Sequence, residues 1–243
     1  MTLVVSEPSP SGTRRRTRSV LIVDDDPDIQ LVLEFALEDA GYRPLPAATG
    51  EDGLLIAHEA DPDAALVDLR LPGLHGLDLI PSLRATSPMP IVIITAQTAG
   101  RDTTTALGLG ADDYLTKPFA TRDLLHRLDT QLTGPTLPPV DAGDDRLRFT
   151  PTGQVLLDGE PVTLTCTERR LLVAMVTANG RSLGPNELLR DVWGYRSPGD
   201  HTVVSAVINR LQDRLVTAGA PDLLTAGAHG TWRVNRSPAR PLR

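Results

Sequence analysis

Lysine is almost missing from this sequence: of 24 cationic side chains, Lys117 is the only one that is not an arginine. Cysteine is as scarce. The single Cys166 rules out an internal disulfide and a cysteine-built metal centre, and it fits a reducing, cytoplasmic compartment. The 5 histidines are scattered without ligand spacing, so no structural metal site is expected. The longest apolar runs, around residues 19–23 and 91–94, fall far short of the ~20 residues a membrane span needs. Arg14, Arg15, Arg16 and Arg18 form a basic stretch, but neither the apolar core nor the small-residue cleavage site of an export signal follows. Residues 1–17 therefore read as a disordered basic tail, and residues 236–243 as a second tail. There is no Gly-rich phosphate loop, and no general acid with a substrate pocket, which argues against a nucleotide hydrolase or phosphatase.

At 243 residues the chain can hold two ordinary domains of ~100 to 150 residues. Its charge is divided between them. Residues 19–133 carry 7 cations against 19 acids, and residues 146–243 carry 13 cations against 8 acids. An acidic half joined to a basic half suggests two tasks, one of them on a polyanion.

Short continuous apolar runs at residues 19–23, 64–67 and 90–95 read as parallel strands covered on both faces. Weaker strands are expected at 43–47 and 113–116. Helical patterns alternate with them: Ile29, Leu33, Phe35, Ala36 and Leu37 before Gly41, then 50–60, 77–85, 98–108 and 120–132. The alternation predicts a doubly wound α/β domain with a five-stranded parallel sheet over residues 18–133. Residues 134–145, rich in Pro, Gly and Asp, read as a linker. Beyond it, over 146–235, come three short strands, a helix opened by the capping-box sequence TCTE at 165–168, helices near 185–193 and 201–216, and two strands around a Gly-rich tip. In the last helix Val204, Val207, Ile208, Leu211 and Leu215 form an apolar stripe at helical spacing, opposite Thr202, Ser205, Asn209, Arg210 and Asp213.

In a doubly wound sheet the functional crevice lies at the carboxyl ends of the strands. This sequence places Asp24 and Asp25, Asp68, Thr95 and Lys117 at the ends of four of the five. Converging carboxylates repel one another unless a cation neutralises them, and their hard oxygens suit Mg²⁺. With the ion bound, one carboxylate can act as nucleophile toward a phosphoryl group. Asp24 and Asp25 are adjacent on one loop and suit metal holding, which leaves Asp68 as the nucleophile. Lys117 supplies a compact ammonium where arginine's planar fork would demand another geometry.

The segments VLIVDDDPDI, LVDLRLPGLHGLDLI, IVIITA and GADDYLTKPF resemble the receiver domain of two-component response regulators. The resemblance implies a flavodoxin-like fold, phosphorylation of Asp68 by a sensor histidine kinase, and Mg²⁺ held by Asp24, Asp25, Asp68 and the backbone carbonyl of Arg70. It further implies that Thr95 and Tyr114 are the switch pair and that Lys117 contacts the phosphate, with a cis bond to Pro118. Pairing of receivers on phosphorylation would use Asp113, Asp123 and Arg127, although Thr103 stands where a cation commonly faces the acid at 123.

The basic half, with LDGEPVTLTCTERRLL, NELLRDVWG and TVVSAVINRLQDRL, resembles the winged helix-turn-helix domain of OmpR/PhoB-type regulators. Double-stranded DNA is then the implied partner. Thr202, Ser205, Asn209 and Arg210 would face the major groove, and the tip, with His229 and Arg233, the minor groove. Gln212 and Asp213 replace two cations that this family usually carries, and fewer cations mean fewer released counterions and weaker binding. The expected function is a cytoplasmic, phosphorylation-controlled transcriptional regulator without turnover of an external substrate. The alternative is a phosphorylation-controlled interaction module whose DNA binding is weak or lost.

Overall fold

The structure is a computed structural model that describes residues 16–96, 101–132, 146–150, 153–195 and 201–235. The expected linker, the C-terminal tail and most of the N-terminal tail lie outside the described residues.

β1 (Ser19–Val23), β3 (Ala64–Asp68) and β4 (Ile91–Thr95) are buried at every position, as continuous apolar runs become when helices cover both faces of a sheet. β2 (Arg43–Ala47) and β5 (Asp113–Thr116) complete a parallel sheet of order β2-β1-β3-β4-β5. Pro44 and Pro46 confine β2 to an edge, since proline cannot donate to a ladder on both sides.

α1 (Pro27–Asp39), α2 (Gly50–Ala60), α3 (Gly76–Thr86), α4 (Arg101–Leu109) and α5 (Thr121–Leu132) alternate with the strands. Strand residues point alternately to two apolar layers. Val20, Ile22 and Ile94 meet Leu37, Leu124 and Leu128 of α1 and α5, while Leu21, Val67 and Ile93 meet the layer of α3 and α4. Phe35, expected on the inner face of α1, is 73% exposed. At 100° per residue it points away from Leu33, Ala36 and Leu37, which are buried.

The second domain begins with an antiparallel meander of β6 (Leu147–Phe149), β7 (Val155–Leu157) and β8 (Glu160–Val162). α6 (Cys166–Thr177) opens on the expected capping box: the Glu168 N–H donates to Thr165 Oγ1 at 3.2 Å, and the Thr165 N–H to Glu168 Oε2 at 2.9 Å. α7 (Pro185–Trp193) starts with proline in its first turn and stops at Gly194, whose φ of 74° is left-handed. α8 (Thr202–Thr217) follows, and the hairpin of β9 (Leu224–Ala226) and β10 (Trp232–Val234) ends the domain. All five residues of the apolar stripe on α8 are buried, and so is Val203. The stripe is wider than its spacing implied because α8 packs on α6 on one side and on α4 of the first domain on the other, which joins the two domains in one apolar cluster. Among the described residues no helix is long and apolar enough to cross a membrane.

Leu124 is fully buried between α5 and the sheet. Leu124→Ala should cost about 2–5 kcal/mol through lost transfer energy and the cavity left behind, measured as a lower urea midpoint. An unchanged midpoint would mean that α5 is not packed on the sheet in this way.

Candidate functional site

The parallel sheet brings four polar side chains to one edge. Asp24 follows β1, Asp68 closes β3, Thr95 closes β4 and Lys117 follows β5. Asp24, Asp68 and Thr95 are 1%, 7% and 2% exposed. Lys117 stands between the two acids: its Nζ donates to Asp24 Oδ2 at 2.7 Å and to Asp68 Oδ2 at 2.6 Å. Its backbone N–H donates to Thr95 O at 2.7 Å, tying the loop after β5 to the end of β4. The Lys117–Pro118 peptide is cis, as expected.

The consecutive acids of DDDP do three different things. Asp24 is buried in the ion pair, and its Oδ1 accepts the Asp26 N–H at 3.1 Å. Asp25 is exposed. Asp26 caps α1, accepting from the Asp28 and Ile29 N–H groups at 2.9 and 3.3 Å, ahead of a proline in the first turn. Gln30 holds the loop in place by donating to the carbonyls of Asp24 at 2.5 Å and Ala47 at 2.9 Å. The other oxygen of Asp68, Oδ1, accepts the Arg70 N–H at 2.9 Å.

Burial pushes the Asp24 carboxyl above its ordinary value, against the opposing hydrogen bond from Lys117. Burial also works against the Lys117 charge, but the hydrogen bonds and fields of the two carboxylates outweigh it, and the ammonium is held above its ordinary value. The site is a charged triad in which one ammonium stands between two buried carboxylates that repel one another.

Gly76 and Gln30 escaped the sequence reading. A Cβ on Gly76 would lie 2.4 Å from Asp68 O and 2.6 Å from Leu69 Cα, so the start of α3 crosses against the backbone that carries Asp68. The only trace of this in the sequence is the second glycine of PGLHG.

Among the described residues no three Asp, Glu, His or Cys side chains are close enough to hold a metal ion by themselves. Lys117 lies between two of the acids and the third is turned to solvent. By chemistry the residues present still suit Mg²⁺: the carboxylates of Asp24, Asp25 and Asp68 are hard oxygens, the donor type that ion takes, and an ion that keeps several waters needs few of them.

Tyr114 is paired with Ile93 across β4 and β5, and Thr95 lies two residues further along β4 on the same face. That face is covered by α4. Thr95 is buried and Tyr114 half-buried.

The residues expected at a dimer contact lie on β5 and α5. Asp113 is buried and accepts two hydrogen bonds from Arg127 of the same chain, at 3.0 and 3.1 Å. The Tyr195 hydroxyl of the second domain donates to it at 2.5 Å, and the Arg127 guanidinium lies 4.5 Å from the centre of the Tyr195 ring. Burial pushes the Asp113 carboxyl up to about 6, against the attraction of Arg127. Asp123 is exposed, and Thr103 is buried.

On the second domain Ser205, Asn209, His229 and Arg233 are exposed and Thr202 is half-buried. Arg210 is not on that outer face, contrary to expectation. Its guanidinium, 12% exposed, reaches back to Glu168 at 3.3 Å and across to Asp112 at 3.2 Å. Helical spacing puts residues 209 and 210 side by side, but two buried carboxylates decide which way the longer side chain turns.

Comparison with known proteins gives two family matches: the response regulator receiver domain over residues 20–129, and the C-terminal domain of transcriptional regulatory proteins over residues 159–227. The chain is 36% identical over 199 residues to the DNA-binding response regulator MtrA of Mycolicibacterium smegmatis, covering 81% of this chain and 87% of that protein. It is 35% identical over 203 residues to the transcriptional regulatory protein AfsQ1 of Streptomyces coelicolor, covering 81% and 88%. Among solved structures, a RitR mutant shares the fold with a TM-score of 0.70 at 21% identity, covering 90% of this chain and 100% of that one.

Removing the ammonium leaves Asp24 buried without its partner. Lys117→Ala should destabilise the protein by about 3 kcal/mol at pH 8. Without Lys117 the Asp24 carboxyl rises further above its ordinary value, so the folded protein takes up a proton as pH falls and the penalty shrinks toward pH 5. Urea midpoints at the two pH values test this; equal losses at both would mean that Asp24 does not carry the charge.

Proposed function

The chain belongs to the DNA-binding response regulators, a receiver followed by a C-terminal transcriptional-regulator domain, and on that premise we propose that phosphorylation of Asp68 by a sensor histidine kinase controls DNA binding. The observation that carries the residue assignment is the Lys117 ammonium 2.6 Å from Asp68 Oδ2, at the carboxyl edge of a parallel sheet. The domains assigned are the receiver over 18–133, a linker over 134–145 and the DNA-binding domain over 146–235.

In this reading an Asp68 oxygen attacks the donor phosphorus, the donor's bond to phosphorus breaks, and an acyl phosphate remains on the chain. Lys117 exchanges its carboxylate hydrogen bond for one to a phosphoryl oxygen, and the Thr95 hydroxyl takes another, which draws Tyr114 inward. Asp24, Asp25, Asp68 and the Arg70 carbonyl would hold Mg²⁺, which offsets the negative charge that gathers around the phosphoryl group. The chain's own chemistry is limited to taking up and losing this phosphoryl group. α1 begins three residues after Asp24 and leaves Leu31, Val32 and Phe35 exposed, an apolar surface of the kind a partner protein covers. The setting is the cytoplasm, and phosphorylation favours a homodimer through the face bearing Asp113, Asp123 and Arg127.

Thr202, Ser205 and Asn209 on α8, with His229 and Arg233 on the hairpin, are the proposed DNA contacts. A second reading, an interaction module with weakened DNA binding, is favoured by Asp213 and by the withdrawal of Arg210 into buried ion pairs. Enrichment of genomic fragments on the protein, with and without acetyl phosphate, separates the two. Fragments enriched only after phosphodonor treatment support the transcriptional reading, and none in either state supports the second.

Asp68→Asn should abolish labelling by acetyl phosphate in Mg²⁺, measured by intact mass; stoichiometric labelling that persists would place the acceptor elsewhere. Lys117→Arg should still be labelled but should lose phosphorylation-dependent fragment enrichment. Normal enrichment in that variant would show that the lone lysine is not needed for switching.

A further inference from the structure

Gln30 interrupts an apolar stripe. It precedes Leu33 and Leu37, which are buried on the inner face of α1, and helical spacing puts all three on that face. An apolar side chain is expected there, yet Gln30 is a half-buried amide. Burying an amide is costly unless its hydrogen bonds are made. An amide nitrogen has two N–H donors, and Gln30 Nε2 has two acceptors, Asp24 O at 2.5 Å and Ala47 O at 2.9 Å. These partners fix which way the amide faces, since a flipped group would set Oε1 against two carbonyl oxygens.

The acceptors stand where β1 and β2 end. The Asp24 N–H also donates to Ala47 O, at 3.2 Å, so residue 24 is tied to the edge strand through its N–H and, by way of Gln30, through its carbonyl. On the far side of Asp25, the Gln30 backbone N–H donates to Asp26 O at 3.0 Å. Gln30 therefore brackets Asp25, with its side chain on the residue before and its backbone on the residue after. Asp25 is exposed, and its carboxylate depends for its place on the backbone that Gln30 holds.

A hydrated divalent ion that takes few protein oxygens is bound more tightly when those oxygens are already in place, because no loop has to be ordered as it binds. We propose that Gln30 is a positioning residue for divalent-cation uptake, holding Asp24 and Asp25 ready at the carboxyl end of β1. This rests on the reading that these acids, with Asp68, take Mg²⁺ for phosphorylation of Asp68, and it adds a residue that touches neither the ion nor the phosphoryl group.

The test titrates the full chain with Mn²⁺ in the absence of phosphodonor, counting the free ion by electron paramagnetic resonance. Wild type is compared with Gln30→Met, which keeps the length of the side chain and suits the apolar stripe but donates nothing. The Mn²⁺ dissociation constant of the variant should be roughly tenfold that of wild type, the scale of effect when a residue that supports metal ligands from behind is lost. The Mg²⁺ concentration that gives half the maximal rate of labelling by acetyl phosphate should rise by a similar factor, while the rate at saturating Mg²⁺ stays as in wild type. An unchanged Mn²⁺ constant would overturn the proposal. So would a labelling rate that falls at saturating Mg²⁺ with the half-saturation unmoved, which is what general damage to the fold would give. If Mn²⁺ binds wild type but acetyl phosphate labels nothing, the phosphorylation reading fails and the Mn²⁺ constants alone decide on Gln30. If Mn²⁺ does not bind wild type, the proposal falls together with the metal reading, whatever the labelling shows. Should Gln30→Met not fold, Gln30→Asn, whose amide is one methylene shorter and cannot reach both carbonyls, is titrated in its place with the same outcomes.

Discussion

Two carboxylates that share one ammonium are the constraint around which the first domain is organised. Asp24 and Asp68 are both buried at the carboxyl edge of the sheet, where two negative charges would repel one another strongly at low local dielectric. Lys117 resolves the repulsion with hydrogen bonds of 2.7 and 2.6 Å. Its position is fixed by β5, by its backbone bond to Thr95 and by the loop that follows. Because the acids are buried, removing Lys117 leaves two uncompensated negative charges, whereas removing either acid leaves a matched ion pair. Adding a phosphoryl group changes the count of charges in the same small space, so the protein cannot absorb it without moving Lys117 or drawing in a cation.

That constraint also explains the lone lysine. Elsewhere arginine serves every cationic need: it caps a carbonyl cluster at Arg84, pairs with Asp113 at Arg127 and spans two domains at Arg210. Arg84 and Arg210 use several nitrogens of the planar fork at once. At residue 117 a single compact nitrogen must reach two carboxylates on different strands and be able to exchange one of them for a phosphoryl oxygen.

The fold was legible because its signals are local. Continuous apolar runs, the proline-capped start of α1, the TCTE capping box and the stripe on α8 each depend on residues within a few positions of one another. So did the polar residues at the strand ends, because a parallel sheet brings corresponding ends together whatever the helices do. What sequence could not show depends on contacts across long separations. Phe35 looked like core because spacing alone does not say which of two apolar directions a helix presents. Gly76 matters through a backbone approach to Asp68 that no periodicity records. Arg210 appeared on a polar face of α8, yet it faces Asp112, 98 residues away. The docking of one domain on the other is the least local feature of all, and it determines whether Asp113 and Arg127 are free or covered.

The central claim is that the carboxylate held by Lys117 at the end of β3 receives a phosphoryl group. Reducing the acyl phosphate with borohydride after treatment with acetyl phosphate and Mg²⁺ converts the modified aspartate to homoserine, and peptide mass spectrometry then locates it. The account predicts homoserine at position 68 alone. Homoserine at position 24 or 25, or none in a protein whose intact mass shows the phosphoryl group, would contradict it.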